Sequence, residues 1–311
     1  MNKALREFLN YLKLERNYSG YTLCSYENDL ENFHKYLARN NKYFDKITIK
    51  EIRNYLQGEM ERGICKSTIR RRLSCLRTYY NFLVRYNFVL NNPFLLVTSP
   101  KPGVRYPHIV SPESIDELIL ADQQRIDFLM PRDQAIIHLL ISTGMRASEL
   151  LALNMQDIDL KNRVVHVFGK GKKERIIPFT EKCRDSVKIY LEDLRPMLLA
   201  KKIGGEPSNA LILSSKGDRL SVRGLEYVLK SIEKKTCINL RLHPHKMRHT
   251  FATYLLEKGA DLRFIQELMG HESLNTTQIY THVTQQQIRQ QYMMFHPRAK
   301  KKPEDDKNEK K

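Results

Sequence analysis

A proline-rich interruption near the end of the first third divides this chain of 311 residues into two parts. The stretch VTSPKPGVRYPH, residues 97–108, holds three prolines and a glycine, which end any helical or strand periodicity. The chain length favours two domains, and hydrophobic residues make up 41% of it, enough for two cores. The predicted boundaries are 1–97 for a first domain, 98–108 for a linker, 109–297 for a second domain and 298–311 for a charged, disordered tail.

The first domain is predicted to be helical throughout. One helix should follow Ser19 and run to about Arg39, and another should cover roughly Ser67 to Tyr86. In the latter helix, apolar side chains recur at i, i+4 and i+7 and form one stripe suited to a core. The stripe consists of Ile69, Leu73, Leu76, Tyr80 and Leu83.

Three arginines of the same helix lie outside the apolar stripe. Arg70 and Arg77 share one flank of the stripe, and Arg71 lies opposite it. Such a basic surface could lie along DNA phosphates. A solvated basic face explains the same residues equally well, so both interpretations stay open from this helix alone.

The second domain is predicted to combine helices with a small antiparallel sheet. Ser111 as N-cap and Pro112 at the first helical position mark a helix start, and a second helix runs from Pro131 to about Ser142. Two strands around a glycine-rich turn predict a hairpin, and the pattern from Ser221 onward is helical again. The fold class is therefore mainly α with a small sheet. The predicted strands are 163–168, 175–179 and a short addition at 210–214.

The charge of the chain predicts a polyanionic partner. Lys and Arg number 53 against 35 Asp and Glu, a formal net charge of +18, and nucleic acid is the first candidate. A ribosomal or merely basic protein is the alternative. The five cysteines form no CxxC pair, the N-terminus does not read as a signal peptide, and no apolar run is long enough for a membrane span. We therefore expect free thiols and a cytoplasmic protein.

Two short segments of the second domain place basic side chains beside glycines. TGMRASELLAL, residues 143–153, puts Arg146 between a helix break and the next helical turn, where it could hold a phosphate. The predicted hairpin turn carries Lys170, Lys172 and Lys173, and its glycines allow close approach to a ligand. This turn is not a P-loop, because GxxxxGK[ST] is absent and the flanking elements are strands. Each segment is also explained by an ordinary solvated basic surface.

Two further segments bring histidines, an arginine and a tyrosine. In LHPHKMRHT, residues 242–250, His245 and Arg248 are spaced i, i+3 on one helix face. His245 and His249 also have a metal-ligand spacing, but HExxH and nearby cysteines are both missing, so we expect no metal site. GHESLNTTQIYTHV, residues 270–283, contains His271 and Tyr280, and a single tyrosine is most often a packing residue.

The order of these residues resembles the tyrosine recombinase (phage integrase) family, most closely its bacterial Xer branch. The family pattern is Arg, Lys, His-x-x-Arg, His or Trp, and Tyr, and the chain meets it without departure. The words GMRASEL, GKGKKERIIP, PHKMRHTFATYLL and LMGHESLNTTQIYTHV are similar to the family, as is LREFLNYLKLERNYSGYTLCSYENDL near the N-terminus. The closing HPRA, residues 296–299, is similar to the end of one Xer member. The resemblance implies a SAM-like core-binding domain and a catalytic domain that clamp duplex DNA. The matching residues are Arg146, Lys170, His245, Arg248, His271 and Tyr280.

The residue types suit attack on a phosphodiester. The reaction adds negative charge to the non-bridging oxygens, and a planar guanidinium donates two hydrogen bonds to such a group without losing its own charge. Arg146 and Arg248 could therefore clamp the phosphate, with His271 as a further donor.

Proton transfer completes the predicted chemistry. Tyr280 would be the nucleophile, and its phenol, with an ordinary pKa of about 10, needs a proton acceptor. His245 is the candidate acceptor, and Lys170 is the candidate donor to the departing 5′ oxygen. The resemblance implies the same roles, and the scheme requires neither a metal nor a nucleotide cofactor.

The resemblance also implies the partners. Four protomers, alone or with a second Xer recombinase, would assemble on a dif-like inverted-repeat site in the nucleoid and resolve chromosome dimers, with an FtsK-type translocase as a further partner. An integrase of a phage or conjugative element and a type IB topoisomerase share the chemistry. A non-catalytic architectural DNA-binding protein is the alternative of another class, and it would form no covalent adduct with DNA.

A final helix is predicted after the candidate nucleophile. Residues 284–295, TQQQIRQQYMMF, carry Ile288, Tyr292 and Phe295 on one apolar stripe. Such a stripe must be covered, either by its own domain or by a neighbouring protomer. The family resemblance favours docking on the neighbour.

Overall fold

The computed structural model describes residues 3–101, 109–169, 174–202, 204, 206–270 and 285–299. The chain forms two compact units, Met1–Tyr106 and Pro107–Lys311. The described part of the first unit is helical, as predicted. Its helices are α1 (Lys3–Leu14), α2 (Gly20–Arg39), α3 (Ile49–Glu61) and α4 (Lys66–Arg85), followed by a 3-10 turn at Pro93–Leu96.

Local capping and one apolar face explain the first unit. The hydroxyl of Ser19 accepts a hydrogen bond from the backbone N–H of Thr22 at the start of α2, and Thr48 forms a capping box with Glu51 at the start of α3. The stripe predicted on α4 is confirmed, since every member is at least 99% buried and packs into the core of this unit.

The second unit is built around one buried helix. Ser111 caps its first helix, accepting from the backbone N–H of Ser114 at 3.2 Å, as the sequence predicts. Helix α6 is buried from Arg132 to Thr143 and packs against α5, α8 and α11. The helices are α5 (Pro112–Gln123), α6 (Met130–Thr143), α7 (Ala147–Ala152), α8 (Glu181–Ile189), α9 (Arg195–Ala200), α10 (Val222–Thr236), α11 (Pro244–Glu257), α12 (Leu262–Met269) and α13 (Gln285–Phe295), with a 3-10 turn at Met155–Asp157 and a π-helical turn at Tyr190–Leu194.

The predicted hairpin is confirmed and belongs to a small antiparallel sheet. The described strands are β1 (Ile158–Asp159), β2 (Val164–Phe168) and β3 (Glu174–Pro178), in the order β1-β2-β3. Val167 on β2 pairs with Arg175 on β3. Strand β1 was not predicted, since two residues are too few to show an alternating pattern.

The short strand predicted at 210–214 is wrong. This segment makes isolated bridges, one of them between Ala210 and Asn154, and no regular strand. Its backbone is paired partly with side chains and partly with distant backbone groups: the hydroxyl of Tyr190 donates to the carbonyl of Leu211 and accepts from the N–H of Leu213, and the N–H of Leu211 donates to the carbonyl of Leu153. Because these groups are already paired, a neighbouring strand is not required.

Helix α13 packs on its own unit in this structure of a single chain, and docking on a neighbouring protomer stays a prediction. Tyr292 is fully buried, and its hydroxyl donates to the carbonyl of Ser142 near the end of α6 at 2.7 Å. The ring of His296 stacks on Tyr292 with the centroids 4.8 Å apart. The unit itself therefore covers the stripe and offers its central tyrosine a hydrogen-bond acceptor.

The ordered chain continues past the predicted start of the tail. Arg298 pairs with Asp116 of α5 at 2.8 Å, and Ala299 packs against the core of the second unit. The predicted tail therefore begins at least two residues too early. Residues 300–311 lie outside the described residues.

Candidate active site

The turn between α6 and α7 positions Arg146. Helix α6 ends at Gly144, whose backbone is left-handed with φ of 59°, and a Cβ there would overlap the ring of Phe251. Only glycine satisfies both conditions. Arg146 follows as the N-cap of α7 in extended backbone, which directs the chain away from α6.

Arg146 is held in place but remains accessible. Its Nη1 donates to Oε1 of Glu149 at 2.8 Å, and its Nη2 donates to the carbonyl of Gly270 at 3.0 Å. Its backbone N–H donates to Oε2 of the same Glu149 at 2.7 Å. The side chain is still 37% exposed, so a ligand can reach the guanidinium from solvent.

Arg248 approaches the same place from the interior. It lies on α11 and is only 7% exposed; its Nη1 donates to the carbonyl of Gly144 at 2.8 Å, and its Nη2 donates to the carbonyl of Met269. Burial, together with the neighbouring charge of Arg146, lowers the pKa of Arg248 to about 10. The group is still a cation at neutral pH, and a bound anion would offset its desolvation.

The two arginines meet at the C-terminal end of α12. Their Nη2 atoms donate to consecutive carbonyls, those of Met269 and Gly270. Helix α12 ends there because Gly270 takes the left-handed conformation, with φ of 62°. Two side chains predicted as a clamp from separate motifs are thus brought together by the fold.

Two further charged residues, which were not predicted from the sequence, complete the cluster. Glu149 is 5% exposed, and Arg175 of β3 forms a two-pronged pair with it, at 3.0 Å from Nη1 to Oε1 and 2.8 Å from Nη2 to Oε2. Burial acts to raise the pKa of Glu149, but hydrogen bonds from Arg175 and from the N–H of Arg146 hold it below its ordinary value. A signal for Glu149 existed, since an acidic residue three positions after a helix N-cap is a capping-box spacing.

The cluster has an excess of positive charge. The guanidinium groups of Arg146, Arg175 and Arg248 surround the single carboxylate of Glu149, which leaves a formal surplus of two positive charges. Planar donors with unbalanced charge are suited to a phosphate or another oxyanion.

His245 is exposed near the start of α11, one helical turn before Arg248. The helix cap is made by His243, whose Nδ1 accepts from the N–H of Lys246 at 3.1 Å, so capping does not engage His245. His249 is exposed as well. Within the described ranges, no group of three or more His, Cys, Asp or Glu side chains is arranged to hold a metal ion.

The remaining predicted site residues cannot be placed beside the cluster. The chain is described up to Gly169 and again from Glu174, and up to Gly270 and again from Gln285. The predicted residues that lie outside the described residues are Lys170, Lys172, Lys173, His271 and Tyr280.

The three arginines predicted to contact DNA have different surroundings on α4. Arg70 and Arg71 are both exposed, and Arg71 pairs with the buried carboxylate of Asp29. Arg77 is half-buried, and its guanidinium donates to the carbonyl oxygens of Phe94 and Val97 and to the hydroxyl of Ser99. Arg77 therefore fixes the segment that follows the 3-10 turn. None of the helices in the described part is long and apolar enough to cross a membrane.

The fold and the cluster define a mainly α protein of two units, the second of which carries three clustered arginines around a buried carboxylate. Residues 109–287 match the phage integrase family, and residues 5–87 match the N-terminal SAM-like domain of phage integrases. The chain belongs to the phage integrase family, the family of the tyrosine recombinases.

Curated relatives match over nearly the whole chain. The tyrosine recombinase XerC of Bacillus licheniformis is 42% identical over 94% of this chain and 96% of its own length. The tyrosine recombinase XerC of Staphylococcus epidermidis is 42% identical over 97% of this chain and 99% of its own. The closing HPRA resembles the end of XerD, but the relatives' names do not support that member.

A solved structure supports the fold. The crystal structure of the XerH site-specific recombinase bound to a palindromic difH substrate, a post-cleavage complex, is similar with a TM-score of 0.67 at 21% identity. The match covers 93% of this chain and 84% of that one.

Proposed function

We propose that this protein is a site-specific tyrosine recombinase that cuts and rejoins duplex DNA through a 3′-phosphotyrosyl bond to Tyr280. The observation that carries the proposal is the convergence of Arg146 and Arg248 on the end of α12. Glu149 pairs with both Arg146 and Arg175, so the described residues of the cluster keep a surplus of positive charge. His271 follows Gly270 directly in the chain and would add a third donor to a phosphate bound there.

The arginine cluster should stabilise the transition state of DNA cleavage more than the bound substrate. In cleavage, the phenolic oxygen of Tyr280 bonds to phosphorus while the bond from phosphorus to the 5′ oxygen breaks. His245 accepts the phenol proton, and Lys170 gives a proton to the departing 5′ oxygen, which leaves as a hydroxyl. Negative charge builds on the non-bridging oxygens, and fixed donors such as Arg146 and Arg248 stabilise it without reorganising.

DNA contacts outside the scissile phosphate are assigned to basic side chains of both units. In the first unit these are Arg70 and Arg71, which are exposed on α4. In the second unit they are Lys172 and Lys173, which follow β2 in the chain. The guanidinium of Arg77 donates hydrogen bonds within its own unit, so we assign it a structural role there and no phosphate contact.

The biological role follows from the relatives. Their shared name, tyrosine recombinase XerC, supports assignment to the Xer branch and favours the XerC member over XerD. We assign to the protein the resolution of chromosome dimers in the cytoplasmic nucleoid. It would act on a dif-like inverted-repeat site as a tetramer, with a second Xer recombinase and an FtsK-type translocase as partners.

Trapping of the covalent intermediate tests the proposal. The protein is incubated with genomic fragments that carry candidate inverted repeats, and the adduct that survives denaturation is mapped by peptide sequencing. Tyr280→Phe should bind the same DNA and form no adduct, because it lacks the attacking oxygen. Tyr227→Phe is the matched control, since Tyr227 is an exposed tyrosine of α10.

The result separates the alternatives. An adduct that persists in Tyr280→Phe, or that maps to another tyrosine, contradicts the assignment of the nucleophile. DNA binding by the natural protein without any adduct would favour an architectural DNA-binding protein.

A further inference from the structure

Arg175 is hydrogen-bonded to two elements of the site. Two of its donors hold the carboxylate of Glu149, and its Nε donates to the carbonyl of Leu268 at 2.9 Å. It thus connects β3 to α7 and to the last turn of α12. A lysine could not donate these three hydrogen bonds at once, because its single ammonium lacks the planar fork of the guanidinium.

Glu149 transmits this restraint to Arg146. Each carboxylate oxygen of Glu149 accepts from both arginines: Oε1 from Nη1 of Arg146 and Nη1 of Arg175, Oε2 from the N–H of Arg146 and Nη2 of Arg175. The carboxylate is buried, so its orientation is fixed by these donors and not by water. Without Arg175, one side of Glu149 loses its partners and the carboxylate can rotate away from Arg146.

The absence of a side chain at Gly270, at the end of α12, leaves room for the Arg175 guanidinium. A Cβ at position 270 would lie 2.9 Å from Nη1 of Arg175, closer than real Cβ contacts allow. The carbonyl of the same Gly270 accepts from Arg146. Arg175 therefore packs directly against Gly270, the residue whose carbonyl accepts a hydrogen bond from Arg146.

We propose that Arg175 is a positioning residue, which holds the Arg146 guanidinium in its cleavage geometry through Glu149 and the end of α12. The inference rests on the proposed function, because the group that Arg146 contacts would be the scissile phosphate. Arg175 touches neither the phosphate nor the nucleophile in this assignment, and its effect is confined to the orientation of Arg146.

The main test compares Arg175→Lys with Arg195→Lys. Arg195 is a second largely buried arginine of the same unit, which donates to the carbonyls of Ser208 and Ala210 and does not contact Glu149. At a temperature where both variants are folded, Arg175→Lys should lower the single-turnover cleavage rate roughly a hundredfold, the scale of a small misplacement of a catalytic group. Its affinity for the DNA site should stay within about threefold of the natural protein, because phosphate contacts elsewhere dominate binding.

Two additional measurements test whether the loss of cleavage rate in Arg175→Lys acts through Arg146. A substrate with a 5′-bridging sulfur needs no leaving-group proton, so it should not rescue Arg175→Lys if the defect lies in the clamp. Glu149→Gln combined with Arg175→Lys should cleave about as slowly as the slower single variant, because both changes act on Arg146. Selective rescue of Arg175→Lys by the 5′-bridging sulfur substrate would overturn the inference. So would a double variant whose loss of cleavage rate equals the product of the two single losses. Equal losses of cleavage rate in Arg175→Lys and Arg195→Lys would overturn it as well.

A DNA-free readout separates this inference from the proposed function. Inorganic phosphate should raise the melting temperature of the natural protein by binding the arginine cluster, and this shift should shrink in Arg175→Lys but not in Arg195→Lys. An equal phosphate shift in all three proteins overturns the inference even if no DNA is cleaved. If the natural protein forms no adduct while the phosphate shift depends on Arg175, the proposed function fails and the positioning role stands.

Discussion

The guanidinium of Arg146 contacts acceptors on two different elements, the carboxylate of Glu149 on α7 and the carbonyl of Gly270 after α12. Its remaining surface is exposed to solvent. The shape of the group matters here as much as its charge, because one planar fork spans both acceptors and still offers donors to a ligand.

The substitution Arg146→Lys keeps the charge and removes the fork. We expect the rate of covalent adduct formation to fall about a hundredfold to a thousandfold, the usual cost of losing one transition-state donor. Site binding, measured by gel shift, should change little. The control is Arg219→Lys, which alters an arginine that donates to the backbone carbonyls of Leu151 and Leu153. Undiminished cleavage by Arg146→Lys would show that this side chain does not contact the scissile phosphate.

At the same scale, the sequence predicted one class of site residue and missed another. Arg146 and Arg248 were predicted because the order of their motifs along the chain resembles the tyrosine recombinase family. Glu149 and Arg175 were missed because their importance depends on each other, and the pair forms only when β3 packs beside α7. A charge whose partner lies on another element leaves little local trace in the sequence.

Helix α13 and the residues that follow it contact the end of α6, which leads into the turn that carries Arg146. Its Tyr292 hydrogen-bonds to Ser142, and Nε2 of His296 lies 3.5 Å from the carbonyl of Ile141. Both contacts lie on the last turn of α6, just before Gly144. The C-terminal helix therefore braces the turn that presents Arg146.

Removal of the Tyr292 hydroxyl tests this packing. Tyr292→Phe leaves a buried carbonyl without its donor, so the free energy of unfolding should fall by about 1–3 kcal/mol. The measurement is urea unfolding of the full chain, followed by circular dichroism. Met294→Ala is the control, because Met294 is exposed on the same helix and should change stability by no more than about 0.5 kcal/mol. Equal stability of Tyr292→Phe and the natural protein would contradict docking of α13 on its own unit.

The molecule as a whole combines a strongly basic composition with buried, neutral histidines. His138 of α6 and His296 are each about 95% buried or more, and burial lowers the pKa of each to about 3. In the unfolded chain the same groups titrate near 6.5. Between pH 3 and pH 6.5, the unfolded chain therefore binds more protons at these two histidines than the folded protein does.

Acid should consequently destabilise the second unit. The contribution of each histidine is complete above pH 6.5 and is lost as the pH falls towards 3. At pH 5 each would cost about 2 kcal/mol relative to neutral pH. Melting curves between pH 7.5 and 5 should show this decline, and His296→Gln should flatten it. Replacement of the exposed His249 by glutamine is the control, and an identical pH slope in His296→Gln would contradict a neutral buried imidazole.

The sequence by itself determined the features that depend on near neighbours. Helix starts at Ser19 and Ser111, the helix end at Gly144 and the core stripe of α4 all follow from capping, backbone freedom and apolar spacing, which act within a few residues. The hairpin followed from two strand patterns around a glycine-rich turn.

Only the tertiary structure decided which distant groups meet. It placed Arg248 against the carbonyl of Gly144, paired Glu149 with Arg175, and used the hydroxyl of Tyr190 to satisfy a segment that the sequence had suggested as a strand. It also folded α13 onto its own unit. The physical reason is common to all four cases: a buried polar group must find a partner, and the partner that packing brings within reach can lie anywhere in the chain.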